Sequence, residues 1–387
     1  ANHGTLTVTG TVAADGTSDG RVTVADNAHL TTNVGQTFES TGTLSSTGNL
    51  SSSGHLILSG ESRVTQATAN ADGIWESSGT TSIGTLNVAE NGHFKLSGGL
   101  THADVLTASD AVYTQTAGTF KADKGWFKDS TLNIEGGRLD AADTRNDDGT
   151  VNGTLGHNTV NISGLNTPPS FNNEDSVESK SHFADNLTVV RADTVTSDTV
   201  INLMAGGVLD VDHLDLTETG KFNLDGGILR TSLDQIYEWV KTQVIDIKAE
   251  NPETGVIEIP TQVLASTTVG DVKSSIKDNL TMASGSIAFD DEFFSASTVL
   301  SSALQFAKAF GEDNAVTLHY LGQMQTPVTI DTVKELEDEG LSEVMGGIVL
   351  DTTTLHNENA ASGATNRDLI IGGTADGANT INISIGF

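Results

Sequence analysis

Gly20-Arg21-Val22-Thr23-Val24 carries the pattern that decides the fold: a turn-forming glycine, then apolar residues at every second position for one short strand. Such alternation places apolar side chains on one face of a strand and polar side chains on the other. Five residues cannot bury that face alone, but many stacked strands can. The chain is therefore predicted to be an all-β solenoid. Comparable segments begin at Gly4, Gly54, Gly84, Gly92, Gly118 and Gly220.

Paired glycines indicate the length of one coil. Gly206-Gly207 and Gly226-Gly227 each precede an apolar run and lie twenty positions apart. Gly98-Gly99 and Gly136-Gly137 are separated by nearly two such periods. A period near 20 fits a coil of three short strands and two or three turns. Asp-Gly and Asn-Gly dipeptides, such as Asp72-Gly73, supply turns that accept a positive φ.

The rhythm divides the chain into three parts. Residues 1–230 are repeats, interrupted by polar stretches near 141–157 and 165–183 that we interpret as loops projecting from the solenoid. Residues 231–345 are predicted to be a small helical insertion in the C-terminal third, beginning with a helix over about 232–247. Ser232 and Gln235 have the spacing of a capping box there. Residues 346–387 are predicted to return to coils.

Composition excludes several classes of function. The formal charge is −32, so phosphate backbones and anionic membrane surfaces should be repelled, and nucleic acid is not expected as a partner. Cations, basic proteins and neutral glycans remain plausible partners. The chain has no cysteine, which excludes disulfides and thiolate metal sites. No apolar run is long enough to span a membrane as a helix, and no signal peptide is visible.

The repeats resemble the passenger domains of Gram-negative autotransporters, particularly the adhesin and self-associating group. The resemblance is carried by the turn-glycine strands of 132–139 and 222–229, and it covers 1–230 and about 314–387. It implies a right-handed parallel β-helix that is exported through the outer membrane by a C-terminal β-barrel translocator and displayed on the bacterial cell surface. The translocator is expected in the full-length protein.

Glycan cleavage on a β-helix is the enzymatic alternative. Asp210 and Asp212 would lie on one strand face about 7 Å apart, a separation that suits an acid–base pair. Any Asp-x-Asp on a strand gives that distance, however. An enzyme for acidic glycans also needs basic residues, and the seven arginines are dispersed along the sequence. The Gly-Asp-Ser-Gly segment of autotransporter serine proteases is absent.

Metal and sugar sites have no clear sequence signal. His29, His55 and His93 are predicted on a solvated strand face rather than as ligands. Acidic clusters at 146–149, 210–215 and 290–292 lack the spacing of calcium loops. Three tryptophans could stack on sugars, but packing is the preferred interpretation: Trp75, Trp126 and Trp239. We assign no catalytic, cofactor or metal residue and expect no cofactor.

The sequence therefore predicts a non-enzymatic, extracellular, surface-displayed adhesin. It would bind a host-surface or matrix protein or glycan, or another copy of itself, through many weak contacts along a rigid face. Because like-charged surfaces repel, self-association should require screening salt, divalent cations or a patch of opposite charge. A passive surface stalk is the third alternative, although the loops and the insertion argue against a plain spacer.

Overall fold

The computed structural model describes residues 3–125, 127–140, 154–164, 187–196, 198–216, 219–232, 235, 279–289, 317–320, 349–350, 369–372 and 382–385. These residues are nearly all strand and form a parallel β-solenoid of about ten turns, which confirms the predicted fold class. Among them, no helix has the length and apolar character needed to cross a membrane.

The described strands are mostly short, as the brief alternating segments predict. They are β1 (Thr5–Val8), β2 (Thr11–Ala13), β3 (Gly16–Ser18), β4 (Arg21–Val24), β5 (His29–Thr32), β6 (Thr37–Ser40), β7 (Thr43–Ser52), β8 (His55–Leu58), β9 (Glu61–Ala69), β10 (Ile74–Ser77), β11 (Thr80–Val88), β12 (His93–Ser109), β13 (Val112–Lys124), β14 (Phe127–Lys128), β15 (Thr131–Ile134), β16 (Arg138–Asp140), β17 (Thr154–Leu155), β18 (Thr159–Ile162), β19 (Thr188–Val195), β20 (Val200–Met204), β21 (Gly207–Leu214), β22 (Lys221–Thr231), β23 (Leu280–Phe289), β24 (Thr317–Tyr320), β25 (Val349–Leu350), β26 (Leu369–Gly372) and β27 (Asn382–Ile385).

The chain divides into two compact units, of which the first comprises Ala1–Thr167 and Asp185–Asp210. Its strands stack in three parallel columns. Sheet A contains β1, β4, β16, the start of β7, β9, β11 and β19, Leu100–Ala103 and Thr119–Ala122. Sheet B contains β2, β5, β14, β17 and the later residues of the long strands. Sheet C contains β3, β6, β8, β10, β15, β18, β20 and the start of β12 and β13.

The register of sheet C gives the coil length directly. Residues 55, 74, 93, 112 and 131 are successive partners, each 19 positions after the last. The next partners are Thr159 and Val200, so the two coils that follow Thr131 are longer than those before it. The additional length coincides with the polar stretches predicted to project from the solenoid. Most of both stretches lies outside the described residues, but Thr154 and Leu155, within the first, form β17.

The core is built from the inward positions of all three sheets. An aromatic cluster occupies its centre: Phe94 lies 5.3 Å from Tyr113 and 5.1 Å from Phe120, measured between ring centroids, and all three side chains are fully buried. Each such burial contributes about 2–3 kcal/mol. The Tyr113 hydroxyl donates to Gln115 Oε1 at 2.6 Å, and Gln115 Nε2 donates to the carbonyl of Gly118. The polar atoms inside this cluster are therefore paired.

Stacked glycines form the corner between sheets C and A. A Cβ on Gly79 would lie 2.0 Å from the carbonyl oxygen of Gly60, and one on Gly60 would lie 1.9 Å from that of Gly42. Neither glycine has a positive φ. Glycine is required at these positions because successive coils approach too closely to leave room for a Cβ atom. The same contact with the preceding coil recurs at Gly20, Gly42, Gly99, Gly118 and Gly137.

The corner between sheets B and C is made by left-handed residues. Asp72, Asn91, Asp110 and Asp129 have φ values of 60°, 57°, 52° and 49°. They recur once per coil, and the amides of the first three bond to carbonyls of the next coil. Asp and Asn adopt this conformation at low cost. In Asp72-Gly73 the positive φ therefore belongs to the aspartate.

The second unit comprises Pro168–Ala184 and Val211–Phe387. Within it, β22 pairs in parallel with β23, and β23 with β24. β26 runs antiparallel to both β24 and β27, while β25 and β27 are parallel. The predicted return to coils over 346–387 falls mostly outside the described residues, and it stays a prediction.

The predicted helix over 232–247 also falls mostly outside the described residues. At its start, Gln235 is helical and its backbone amide donates to Ser232 Oγ at 3.1 Å, which is half of a capping box. The Gln235 side chain does not complete the box, because its Oε1 accepts from the amide of Leu214. The other helices predicted within 231–345 lie outside the described residues.

Candidate functional site

The outer face of sheet C carries a ladder of amide side chains. Asn133, Asn161 and Asn202 occupy matching positions of β15, β18 and β20. Asn161 Nδ2 donates to Asn133 Oδ1 at 2.8 Å, and Asn202 Nδ2 donates to Asn161 Oδ1 at 2.7 Å. The central amide therefore uses one donor and one acceptor within the ladder and keeps a second N–H and a second oxygen lone pair beyond it.

A charged cluster continues the same face on earlier coils. Glu76 accepts hydrogen bonds from His55 Nε2 at 2.9 Å, Lys95 Nζ at 3.2 Å and Ser97 Oγ at 2.7 Å. Burial raises the pKa of Glu76, but the bonds from Ser97, Lys95 and His55 outweigh it, so the net pKa lies below the usual value. The carboxylate links three successive coils and stays ionised at neutral pH.

Each of the three histidines considered in the sequence is the first residue of its strand and occupies an outward-facing position. His29 is exposed, whereas His55 and His93 are half-buried. His55 is a partner of Glu76. Burial, with a smaller contribution from Lys95, lowers the pKa of His93, and its Nε2 is buried with no hydrogen-bond partner. These positions follow the alternation, and the structure does not bring the three side chains together.

The structure brings together one group of potential metal ligands that was not predicted from the sequence. His102, Asp104 and Asp123 each offer a ligand atom within 4.8 Å of the others at the corner between sheets A and B. His102 Nε2 lies 2.9 Å from Asp123 Oδ1, and Asp104 and Asp123 occupy equivalent positions on adjacent coils. The only sequence signal for this cluster is that Asp104 and Asp123 are separated by one coil length. Lys121 is the register partner of His102 on the next coil.

The carboxylates considered for glycan cleavage have different environments. Asp210 is buried, and its Oδ2 accepts from Arg191 Nε at 3.1 Å. The Asp212 side chain is 69% exposed and lies 3.3 Å from Arg230 Nη1. Asp215, the third carboxylate of that segment, is half-buried. Asp210 is thus part of an ion pair rather than a group open to a substrate.

Only one of the three tryptophans is described. Trp75 is fully buried in β10, between its register partners Leu56 and Phe94. It therefore packs in the core, as predicted. Its Nε1 has no hydrogen-bond partner. Trp126, Trp239 and the acidic clusters at 146–149 and 290–292 lie outside the described residues.

Comparison with known protein families, with curated proteins and with solved structures finds no match to this chain. The chemistry of the coil surfaces is therefore the evidence that bears on function.

Proposed function

We propose that this chain is the passenger of an autotransporter, displayed outside a Gram-negative cell as a non-catalytic adhesin. The observation that supports this most strongly is the ladder of Asn133, Asn161 and Asn202, in which hydrogen-bonding groups recur on successive coils of one face. Such a surface offers many equivalent weak contacts, and simultaneous contacts add avidity. Its ligand is a host-surface or matrix protein or glycan, or a second copy of the chain. Nucleic acid is not proposed as a ligand.

The charge distribution on sheet C also suits this role. Its outward positions from β6 to β20 carry two carboxylates, Glu39 and Glu76, and one ammonium, Lys95. This face is therefore nearly neutral in a chain of charge −32. Approach of a neutral ligand or of a second copy meets less repulsion here than the net charge implies.

A cell-display assay tests the proposal. The chain is fused to a heterologous translocator barrel and scored for clumping and for binding to matrix proteins, mucin and epithelial cells. We expect adhesion above cells that carry the barrel alone, at equal surface density. Clumping, if the ligand is a second copy, should increase with added salt or calcium because screening reduces repulsion. A displayed, folded chain with neither activity would contradict the adhesin proposal and favour a passive stalk.

Two glycine variants test whether adhesion requires the folded solenoid. Gly79→Ala disrupts the glycine corner, whereas Gly10→Ala introduces a methyl group with no atom within 4 Å. We expect Gly10→Ala to retain adhesion and Gly79→Ala to lose it. Equal adhesion by both variants would mean that adhesion does not depend on the solenoid.

A further inference from the structure

The outward side chains of sheet A form a surface, called face A below, in two rows that run from coil to coil. The rows are Thr5, Arg21, Thr43, Glu61, Thr80, Leu100, Thr119, Arg138, Val189 and Thr7, Thr23, Ser45, Arg63, Ser82, His102, Lys121, Asp140, Arg191. Four of the seven arginines, which are dispersed in the sequence, therefore lie on this one face.

Face A has a positive charge in a strongly negative chain. Its two rows hold five Lys or Arg side chains and two carboxylates, Glu61 and Asp140. In its last two coils the charges are paired: Arg191 contacts both Asp140 and Asp210. In the coils before them, three cations accompany one carboxylate, so the excess positive charge lies there.

Three cations are available to a ligand. Arg21 and Arg63 are exposed and Lys121 is half-buried, and none of these side chains forms an ion pair or hydrogen bond with another described residue. They lie on the second, fourth and seventh coils of the sheet. At about 4.8 Å per coil they are spaced by about 10 and 14 Å and span about 24 Å. A single ligand must be long, extended and repeatedly negative to contact all three.

We propose that face A binds an extended anionic polysaccharide that lies along the stacked coils. Guanidinium groups pair with carboxylate or sulfate through parallel hydrogen bonds. Between the cations the face carries Thr and Ser hydroxyls, which can bond to sugar hydroxyls. Its only exposed large apolar side chain is Leu100 at 47%, so it lacks the apolar centre typical of a protein–protein interface. This inference rests on the proposed adhesive function and names its ligand class.

The net charge of the chain does not prevent this binding. Many acidic side chains of the first unit lie at the corners rather than on face A, for example Asp72 and Asp110. Asp104 and Asp123 lie at the corner that adjoins face A, where His102 contacts Asp123, so the positive potential is strongest around Arg21 and Arg63. At physiological ionic strength the Debye length is about 8 Å, so exposed charges farther away are largely screened. Double-stranded DNA carries more negative charge per unit length than a polysaccharide does. The acidic side chains at the corners should therefore repel DNA more strongly than the polysaccharide.

The test measures binding of the full chain to immobilised heparin, polygalacturonate, dextran and double-stranded DNA. The first two distinguish sulfate from carboxylate as the recognised group, and dextran is the neutral control. The binding variant is Arg21→Gln with Arg63→Gln and Lys121→Gln. Because these side chains form no ion pair or hydrogen bond within the described residues, we expect an unchanged melting temperature.

We expect the unmodified chain to bind at least one anionic polysaccharide and not dextran. The triple variant should bind about tenfold more weakly, which corresponds to about 1.4 kcal/mol, and its affinity should depend less on salt. The matched control is Lys124→Gln with Lys128→Gln and Lys221→Gln, which removes three exposed cations elsewhere. It changes the net charge equally and should bind within about twofold of the unmodified chain.

Three results would overturn the inference: no binding to either anionic polysaccharide, equal losses in the triple variant and the control, or equally tight binding of DNA through the same residues. These results are distinct from failure of the proposed function. If displayed cells adhere but the triple variant adheres equally well, face A is not the binding surface and the adhesin proposal stands. If displayed cells neither adhere nor clump, the proposed function itself fails.

Discussion

Replacing Gly79 by alanine tests the stacking of successive coils at a single atom. The new Cβ would lie 2.0 Å from the carbonyl oxygen of Gly60 and 2.6 Å from that of Ser59. Real Cβ atoms essentially never approach other atoms closer than 3.0 Å, so the two coils must separate locally by about 1 Å. The Gly79 backbone itself tolerates alanine, because its φ is not positive. The cost therefore comes from the steric contact between the coils and not from backbone strain.

The magnitude follows from the hydrogen bonds at this corner. The amides of Gly79 and Thr80 donate to the carbonyls of Leu58 and Gly60, both at 3.2 Å. A separation of about 1 Å takes both beyond hydrogen-bonding distance, at a cost of about 2–3 kcal/mol for the pair. Residual overpacking adds about 1–3 kcal/mol. We expect Gly79→Ala to reduce the free energy of unfolding by about 3–6 kcal/mol.

Urea unfolding followed by far-UV circular dichroism measures this loss. Gly10→Ala is the matched control, since a Cβ there meets nothing within 4 Å. It should be neutral or slightly stabilising, because alanine restricts the unfolded chain. A loss of less than about 1 kcal/mol for Gly79→Ala would refute the reasoning and would mean that the coils do not approach as closely as described.

Three further predictions follow from the outer surfaces. Hydrogen bonds hold the pKa of Glu76 below its usual value near 4.5, so the stabilisation of the fold by the ionised Glu76 is complete above that pH. This stabilisation is lost as the pH falls through the lower pKa of the folded state. Glu76→Gln should therefore make the melting temperature less dependent on pH in the acid range. Asn161→Ala removes both amide bonds at the centre of the ladder and should cost about 1–2 kcal/mol in urea unfolding. Asp210→Asn leaves the half-buried Arg191 without its closest carboxylate and should cost about 2–3 kcal/mol. Asp212→Asn, at an exposed carboxylate, should cost less than about 1 kcal/mol, and equal losses would contradict the difference in burial between the two carboxylates.

The fold could be predicted because its signal is local and repeated. In Gly20-Arg21-Val22-Thr23-Val24, alternation alone identifies Val22 and Val24 as inward-facing, and both are at most 1% exposed. The predicted period near 20 agrees with the regular steps of sheet C, because one coil needs three such strands and their turns. Neither inference requires knowledge of distant contacts.

The three corners could not be distinguished from the sequence. Gly20 and Gly54 both precede an alternating strand, yet Gly20 lies between sheets C and A and Gly54 between sheets B and C. The turn-and-strand pattern occurs three times per coil, so one copy does not reveal which sheet it enters. Early coils of unequal length, such as the longer one from Arg21 to Thr43, blur the assignment further.

The clusters on the surface were hidden for the same reason. Asp104 and Asp123 are far apart in sequence, and only the length of one coil places one above the other. Arg63 and Lys121 share a row although they are distant in the sequence, because three coils of unequal length separate them. Recognising such rows needs the register, which alternation within one strand does not determine.

Register therefore changes what the net charge implies about partners. Averaged over the chain, −32 predicts repulsion of every polyanion. Stacking instead concentrates acidic residues at corners and leaves two faces of different character, the nearly neutral face of sheet C and the positive face A. Since exposed charges act mainly within about a Debye length, a ligand meets the face it contacts more than the average of the chain. A solenoid of constant composition can thus present different surfaces to different partners, which a single sum of its charges conceals.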